Sequence, residues 1–79
     1  MFKFPDGSYK HRGMYIERDE IGIIITGGPM AREFVYPTIK DAALHIDIIK
    51  GRGKGKKPHI VGKWLELAIS HDHNNKVKI

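Results

Sequence analysis

The stretch TIKDAALHIDIIKG, residues 38–51, decides the fold. Thr38 is a strong N-cap residue. Asp41 follows it at capping-box distance and suits the positive end of a helix dipole. Ile39, Ala42, Ala43, Ile46 and Ile49 recur at helical spacing on one stripe, while Lys40, Asp47 and Lys50 fall away from it. Lys50 stands in the last turn and Gly51 is a natural left-handed stop. A helix with a single apolar stripe needs a surface to cover, and the nearest candidate is the segment before it. His45 stands one helical turn after Asp41, so an imidazole–carboxylate contact on the helix surface is expected as ordinary decoration.

That preceding segment reads as a three-stranded meander. Met14 to Arg18 alternates around Tyr15 and Ile16, and Asp19 with Glu20 makes a tight turn. Ile21 to Thr26 is β-branched and strongly strand-like. Gly27, Gly28 and Pro29 punctuate the next turn, and Glu33 to Tyr36 supplies a third strand that Pro37 ends. Alternation places Tyr15 on one strand face and Arg18 on the other.

After the helix the texture changes. Lys50, Arg52, Lys54, Lys56, Lys57 and Lys63 follow one another with no acidic residue among them, and Gly51, Gly53 and Gly55 exclude a stable helix there. Residues 51–58 are expected to form a basic loop. Glycine lets the backbone approach a phosphate closely, and cations displace condensed counterions, so the loop suits a sequence-independent nucleic-acid contact. A plain solvated linker and a contact to an acidic protein surface are the competing readings. The loop is no P-loop, because the Lys-Ser or Lys-Thr pair is missing, and no dinucleotide fingerprint, because it follows a helix.

Pro58 is then expected to open a second helix over residues 59–72, with a polar tail over 73–79 that frays or adds an edge strand through Val77 and Ile79. Ile60, Val61, Trp64, Leu65, Leu67, Ala68 and Ile69 form a band wider than one stripe requires. The band is either wedged into the chain's own core or shared with a partner. Val61, Trp64, Leu65 and Ile69 are the candidate interface, with a homodimer as one form of it.

Composition bounds the function. The chain has 79 residues, 41% hydrophobic, with 14 Lys and Arg against 9 Asp and Glu and no Cys. This is one small domain, residues 1–79, with no room for a second core. Thiolate metal sites, iron–sulfur clusters, disulfides and cysteine nucleophiles are excluded, and a cytoplasmic home is expected. Met1 to Lys10 has no apolar core of a signal peptide, and the run Ile23 to Ile25 is too short to span a membrane. Ser8 and Ser70 stand outside any nucleophile-elbow pattern, and no carboxylate pair has acid–base spacing. Of the five histidines, His59, His71 and His73 with Asp72 match no helical metal-ligand spacing and read as surface residues. No enzymatic activity, cofactor or metal is expected.

Three strands followed by one amphipathic helix resemble the plant ethylene-response-factor type DNA-binding domain and the amino-terminal arm-binding domain of tyrosine integrases. The similar features are Tyr9 and Gly13 before the first strand, then Phe34, Thr38, Ala42, Ala43, Ile46 and Asp47, over residues 9–50. The resemblance implies a sheet face that enters the major groove, carried here by Arg12, Tyr15, Arg18 and Arg32. The same sheet bears Glu17, Asp19, Glu20 and Glu33, which repel phosphates. The loop is therefore the stronger candidate, with Arg52, Lys54, Lys56 and Lys57 as phosphate contacts and Lys63 beside them. The expectation is an α+β domain: a three-stranded antiparallel sheet, a packed amphipathic helix, a basic glycine-rich loop and a second helix. Its expected role is a non-enzymatic accessory or regulatory protein of phage or mobile-element style that binds nucleic acid, DNA foremost. The alternative is a protein-interaction module or inhibitor acting through the second helix around Trp64.

Overall fold

A computed structural model describes residues 1–28, 31–53 and 55–77, with side chains as far as His73. The strands are β1 (Phe2–Lys3), β2 (Tyr9–His11), β3 (Met14–Arg18), β4 (Ile23–Thr26), β5 (Phe34–Tyr36) and β6 (Gly62–Lys63). The helices are α1 (Ile39–Ile49), between β5 and β6, and α2 (Trp64–Val77), after β6. The fold is α+β, and the strands form one antiparallel sheet in the order β1-β2-β3-β4-β5-β6.

The sheet has six strands where the sequence pattern predicts three. The three expected strands are its centre, and the additions are two-residue and three-residue pieces at its edges. Such pieces are too short to show a hydrophobic period, and turns and neighbours define them instead. Phe4 N–H donates to Ser8 O at 2.8 Å and Gly7 N–H to Phe4 O at 3.0 Å, which closes the β1–β2 hairpin over Pro5-Asp6-Gly7. Arg12 and Gly13, at φ 49° and 82°, form the two-residue turn into β3. Positive φ at both central positions is the hairpin turn whose twist matches the flanking strands.

Pleat alternation sorts the sheet into two faces. Met14, Ile16, Ile23, Ile25 and Tyr36 are buried with Ala42, Ala43 and Ile46 of α1, and Tyr9, Phe34 and Ile39 pack at the margin. Ile24 and Val35 point to the opposite face and are also buried. α2 contacts β5 and β6. Its Leu67 lies 3.2 Å from where a Gly62 Cβ would stand, on the face that Val35 shares. Central strand β4 is thus buried on both sides.

α1 begins and ends as its residues dictate. Thr38 Oγ1 accepts from Asp41 N–H at 3.1 Å and donates to Asp41 Oδ2 at 2.6 Å. At the C-terminus Gly51 takes φ 77°, with Gly51 N–H on Ile48 O at 3.0 Å and Arg52 N–H on Asp47 O at 2.7 Å. This is the Schellman closure, in which the left-handed residue lets two amides reach back to otherwise orphaned carbonyls. Ile49 departs from the expected stripe. It is 40% exposed, because it stands at the helix end beyond the last buried residue, Ile46.

The second helix is displaced from its expected span of 59–72. The chain is extended through Pro58 to Lys63, and the helix starts at Trp64. Val61 N–H donates to Val35 O at 2.8 Å and Trp64 N–H to Glu33 O at 3.0 Å, so pairing with β5 overrides the helical pattern there. Gly62 is accordingly a strand residue, and Pro58 does not open a helix. At the other end the helix runs through Val77, so the expected tail or edge strand is helical up to that point. Ile79 lies outside the described residues.

Ile46 is fully buried, so Ile46→Ala is expected to lower stability by about 2–5 kcal/mol in urea unfolding. Ile49→Ala is expected to cost under about 1 kcal/mol because that side chain already meets water. Equal costs at the two positions would refute this orientation of α1.

Candidate nucleic-acid interface

The basic segment leaves α1 at Gly51 and doubles back along the helix. A Cβ on Gly53 would collide with Ile48, so the loop backbone lies directly against α1. Gly55 takes φ 75°, a conformation that side-chain-bearing residues rarely adopt. Lys56 N–H reaches Gly53 O at 3.3 Å. His59 N–H then donates to Asp41 Oδ1 at 3.0 Å, in the first turn of α1. The loop is thus held at the C-terminus of α1 and again near its N-terminus. The Thr38 hydroxyl and the His59 amide together hold the Asp41 carboxyl below the usual carboxylate range.

The loop's cations face water. Lys50, Arg52, Lys56, Lys57 and Lys63 are exposed, and among the described residues none of them pairs with a carboxylate. Lys54 lies outside the described residues. Lys63 is on edge strand β6, opposite Phe34. Unpaired cations keep their full charge for a polyanion.

Arg12 is brought close to the start of this loop. Its Nε donates to Asp47 Oδ1 at 2.6 Å, and His11 Nε2 meets the same oxygen at 2.6 Å. The backbone carbonyl of Asp47 receives Arg52 N–H, so the β2–β3 turn and the loop meet at one residue. The Arg12 guanidinium first, then His11, hold the Asp47 carboxyl below its ordinary range. Arg12 is therefore partly neutralised, unlike the loop residues.

Tyr15 and Arg18 lie elsewhere. Tyr15 is on the sheet face away from α1, with Glu17, whose carboxylate accepts the Thr26 hydroxyl. Arg18 ends β3 and lines a shallow pocket with Asp6, Gly7, Ser8 and Glu17. Arg32, at φ 56°, lies over the Trp64 ring at 5.5 Å. The Arg and Tyr positions named from the resemblance are thus spread over separate parts of the molecule.

Trp64 acts inside the chain. Its Nε1 donates to Asp19 Oδ2 at 2.9 Å, fastening the start of α2 to the β3–β4 turn. Val61, Leu65 and Ile69 are 57%, 61% and 62% exposed, so the wide apolar band divides into an inward part and an outward part. Val61 precedes the helix, on the extended approach to β6. His71 Nε2 lies 3.3 Å from Glu20 Oε2, and among the described residues no three His, Asp or Glu side chains gather as a metal site.

No family model, curated protein or solved structure matches this chain. The candidate interface is therefore read from its own chemistry.

Sequence reasoning passed over two groupings. Phe2, Phe4 and Tyr15 form an aromatic cluster, with Phe2–Phe4 centroids 4.9 Å apart and Phe4–Tyr15 stacked at 6.0 Å. Phe4-Pro5-Asp6-Gly7 is the signal that finds it, since a Pro-Asp-Gly turn implies flanking strands. Secondly, His45 hydrogen-bonds through Nδ1 to the Tyr36 hydroxyl rather than to Asp41, and packs on Phe34 at 5.6 Å. Tyr36 stands under α1 in the core, which draws the imidazole inward. Burial lowers the His45 pKa from 6.5 against the opposing charge of Glu33, and burial raises that of Tyr36.

A depressed histidine pKa means that the unfolded chain binds more protons than the folded one below pH 6.5. Stability contributed at His45 is therefore expected to be complete at neutral pH and to decline as pH falls through this range. It should level off below the folded-state pKa. Urea midpoints from neutral pH to about pH 5 in wild type and His45→Gln check this, with a smaller acid loss in the variant. Parallel curves would exclude His45 as the titrating group.

Proposed function

We propose that this chain is a non-enzymatic nucleic-acid-binding accessory or regulatory protein that contacts phosphates through the basic loop. The observation that carries the reading is the set of cations, exposed and unpaired among the described residues, on a backbone held against α1. A glycine-rich linker with no packing would give the same composition without that fixed course. Positioned charges release counterions on meeting a phosphate backbone while the protein loses little conformational freedom. Arg52, Lys54, Lys56 and Lys57 are the primary contacts, with Lys63 at the end of the segment and Arg12 beside its start. DNA is the leading partner. The absence of cysteine supports an intracellular setting, and no helix among the described residues is long and apolar enough to cross a membrane.

A second reading has its own support. Val61, Leu65 and Ile69 are exposed apolar side chains near the start of α2, of the kind that marks contact with a protein partner or a second copy. Trp64 belongs to that reading only as a support, because its indole is already engaged by Asp19 and Arg32.

Replacing Arg52, Lys54, Lys56 and Lys57 with Ala is expected to leave the fold intact, since these side chains carry little of the packing. Duplex affinity should fall. The slope of log affinity against log salt should shrink by about 3–4, near 0.9 for each lost phosphate contact. An unchanged affinity and slope would eliminate the loop as the binding element. Retained weak association that is insensitive to salt, lost instead in Leu65→Ser with Ile69→Ser, would favour the protein-partner reading.

A further inference from the structure

We infer that Phe2, Phe4 and Tyr15 form a stacking platform for unpaired bases, so that the chain has a second nucleic-acid site selective for single strands. The inference rests on the nucleic-acid reading above and adds to it a ligand class and a separate surface. The two helices leave this surface open. α1 covers one sheet face, and α2 covers the other at β5 and β6. Among the described residues α2 makes its main sheet contacts at β5 and β6, away from the β1–β3 part of that face. Tyr15 and Phe2 remain 39% and 59% exposed there.

The rings pack on one another. Phe4 stacks on Tyr15 with planes 29° apart, and Phe2 meets Phe4 edge-on at 74°. The Tyr15 ring also lies against Gly27, where an added Cβ would stand 2.9 Å from Cδ2. A ring held by a neighbouring ring and by turn backbone loses little freedom when a base is laid on it.

The surrounding charge selects the occupant. Lys10, opposite Tyr15 in the β2–β3 pairing, holds its ammonium 5.8 Å from the Tyr15 centroid. Lys3, over Tyr9 at 5.7 Å, belongs to the α1 side of the sheet and stands apart from the platform. Among the described residues Lys10 pairs with no carboxylate. Glu17, also on this face, accepts the Thr26 hydroxyl. Exposed aromatic rings bordered by an ammonium suit a strand whose bases stack while a phosphate meets Lys10. A buried apolar partner surface would be a poor match, because Lys10 would be desolvated without a countercharge. A duplex keeps its bases stacked inside and offers the platform nothing to hold.

The loop and the platform lie on opposite sides of the sheet, so their effects are separable. The test uses the full chain and a fluorescein-labelled oligothymidine of about twelve nucleotides, single-stranded or annealed to its complement, read by anisotropy. Phe2→Ala and Tyr15→Ala are each expected to weaken single-strand binding about tenfold, in line with about 1–3 kcal/mol per stacked base. Duplex binding should stay within about twofold. Tyr15→Phe keeps a ring and is expected to retain single-strand affinity, and circular dichroism checks that each variant is folded. Single-strand affinity that survives both alanine changes overturns the platform but leaves the loop reading standing. An equal fall for duplex and single strand also overturns it, as does wild-type binding to duplex only. Wild type that binds neither form overturns the platform and the loop reading together. If Tyr15→Ala fails to fold, Phe2→Ala decides alone, since Phe2 is largely in solvent.

Discussion

Everything in this fold follows from burying β4 on both of its faces. Ile23 and Ile25 point under α1, and Ile24 points the other way, yet all three are nearly inaccessible. A strand of three consecutive isoleucines cannot sit on a half-solvated sheet without leaving one of them in water. The side under α1 is closed by Ala42, Ala43 and Ile46, whose small and branched side chains let the helix approach closely. The opposite side needs a second cover. That need explains why the chain returns after α1, pairs β6 with β5 and directs α2 across the other face. Trp64 fixes the return through Asp19, and the missing side chain of Gly62 admits Leu67.

The same requirement gives the basic loop its course. To reach the far edge of β5, the chain must travel from the C-terminus of α1 back towards its start. Glycines at positions 51, 53 and 55 make that path possible, each in a different way. Gly51 adopts the left-handed stop, Gly53 permits contact with Ile48, and Gly55 takes a second positive φ. A crossover this close to a helix has no apolar side chain to bury along it, and it carries lysine and arginine instead. The cations are thus a layer outside α1 rather than part of any core. The contrast with Arg12 is informative, because Asp47 binds it and ties the β2–β3 turn to the helix.

Legibility in the sequence tracked the length of each element. α1, with its N-cap, its stripe and its glycine stop, was readable almost to the residue, and so were the strands around Ile16, Ile24 and Val35. β1, β2 and β6 were not, because two or three residues cannot display a period. Their marks were Pro5-Asp6-Gly7 and Arg12-Gly13, which are turn chemistry. The span 58–63 misled for a different reason. Its apolar spacing matches a helix, but backbone pairing to Val35 and Glu33 is a non-local interaction that no window of sequence contains. The cations of the candidate interface could be named from composition, whereas their freedom from carboxylates depended on where Asp41 and Asp47 were already committed.

The uncovered remainder of the second face is the final consequence of this geometry. Among the described residues α2 makes its main sheet contacts at β5 and β6, short of β2 and β3. There the chain covers the face with its own N-terminal aromatics. Phe4 shields one side of Tyr15, and Phe2 leans on Phe4. A purely structural cover would be expected to bury its largest rings and put polar groups outward. Here Phe2 is more than half exposed, and among the described residues the neighbouring Lys10 pairs with no carboxylate. The surface that closes the fold on this side is therefore also a surface with unmet capacity for stacking and for anions. That unmet capacity is the physical reason to look for a ligand at β1–β3 as well as at the loop.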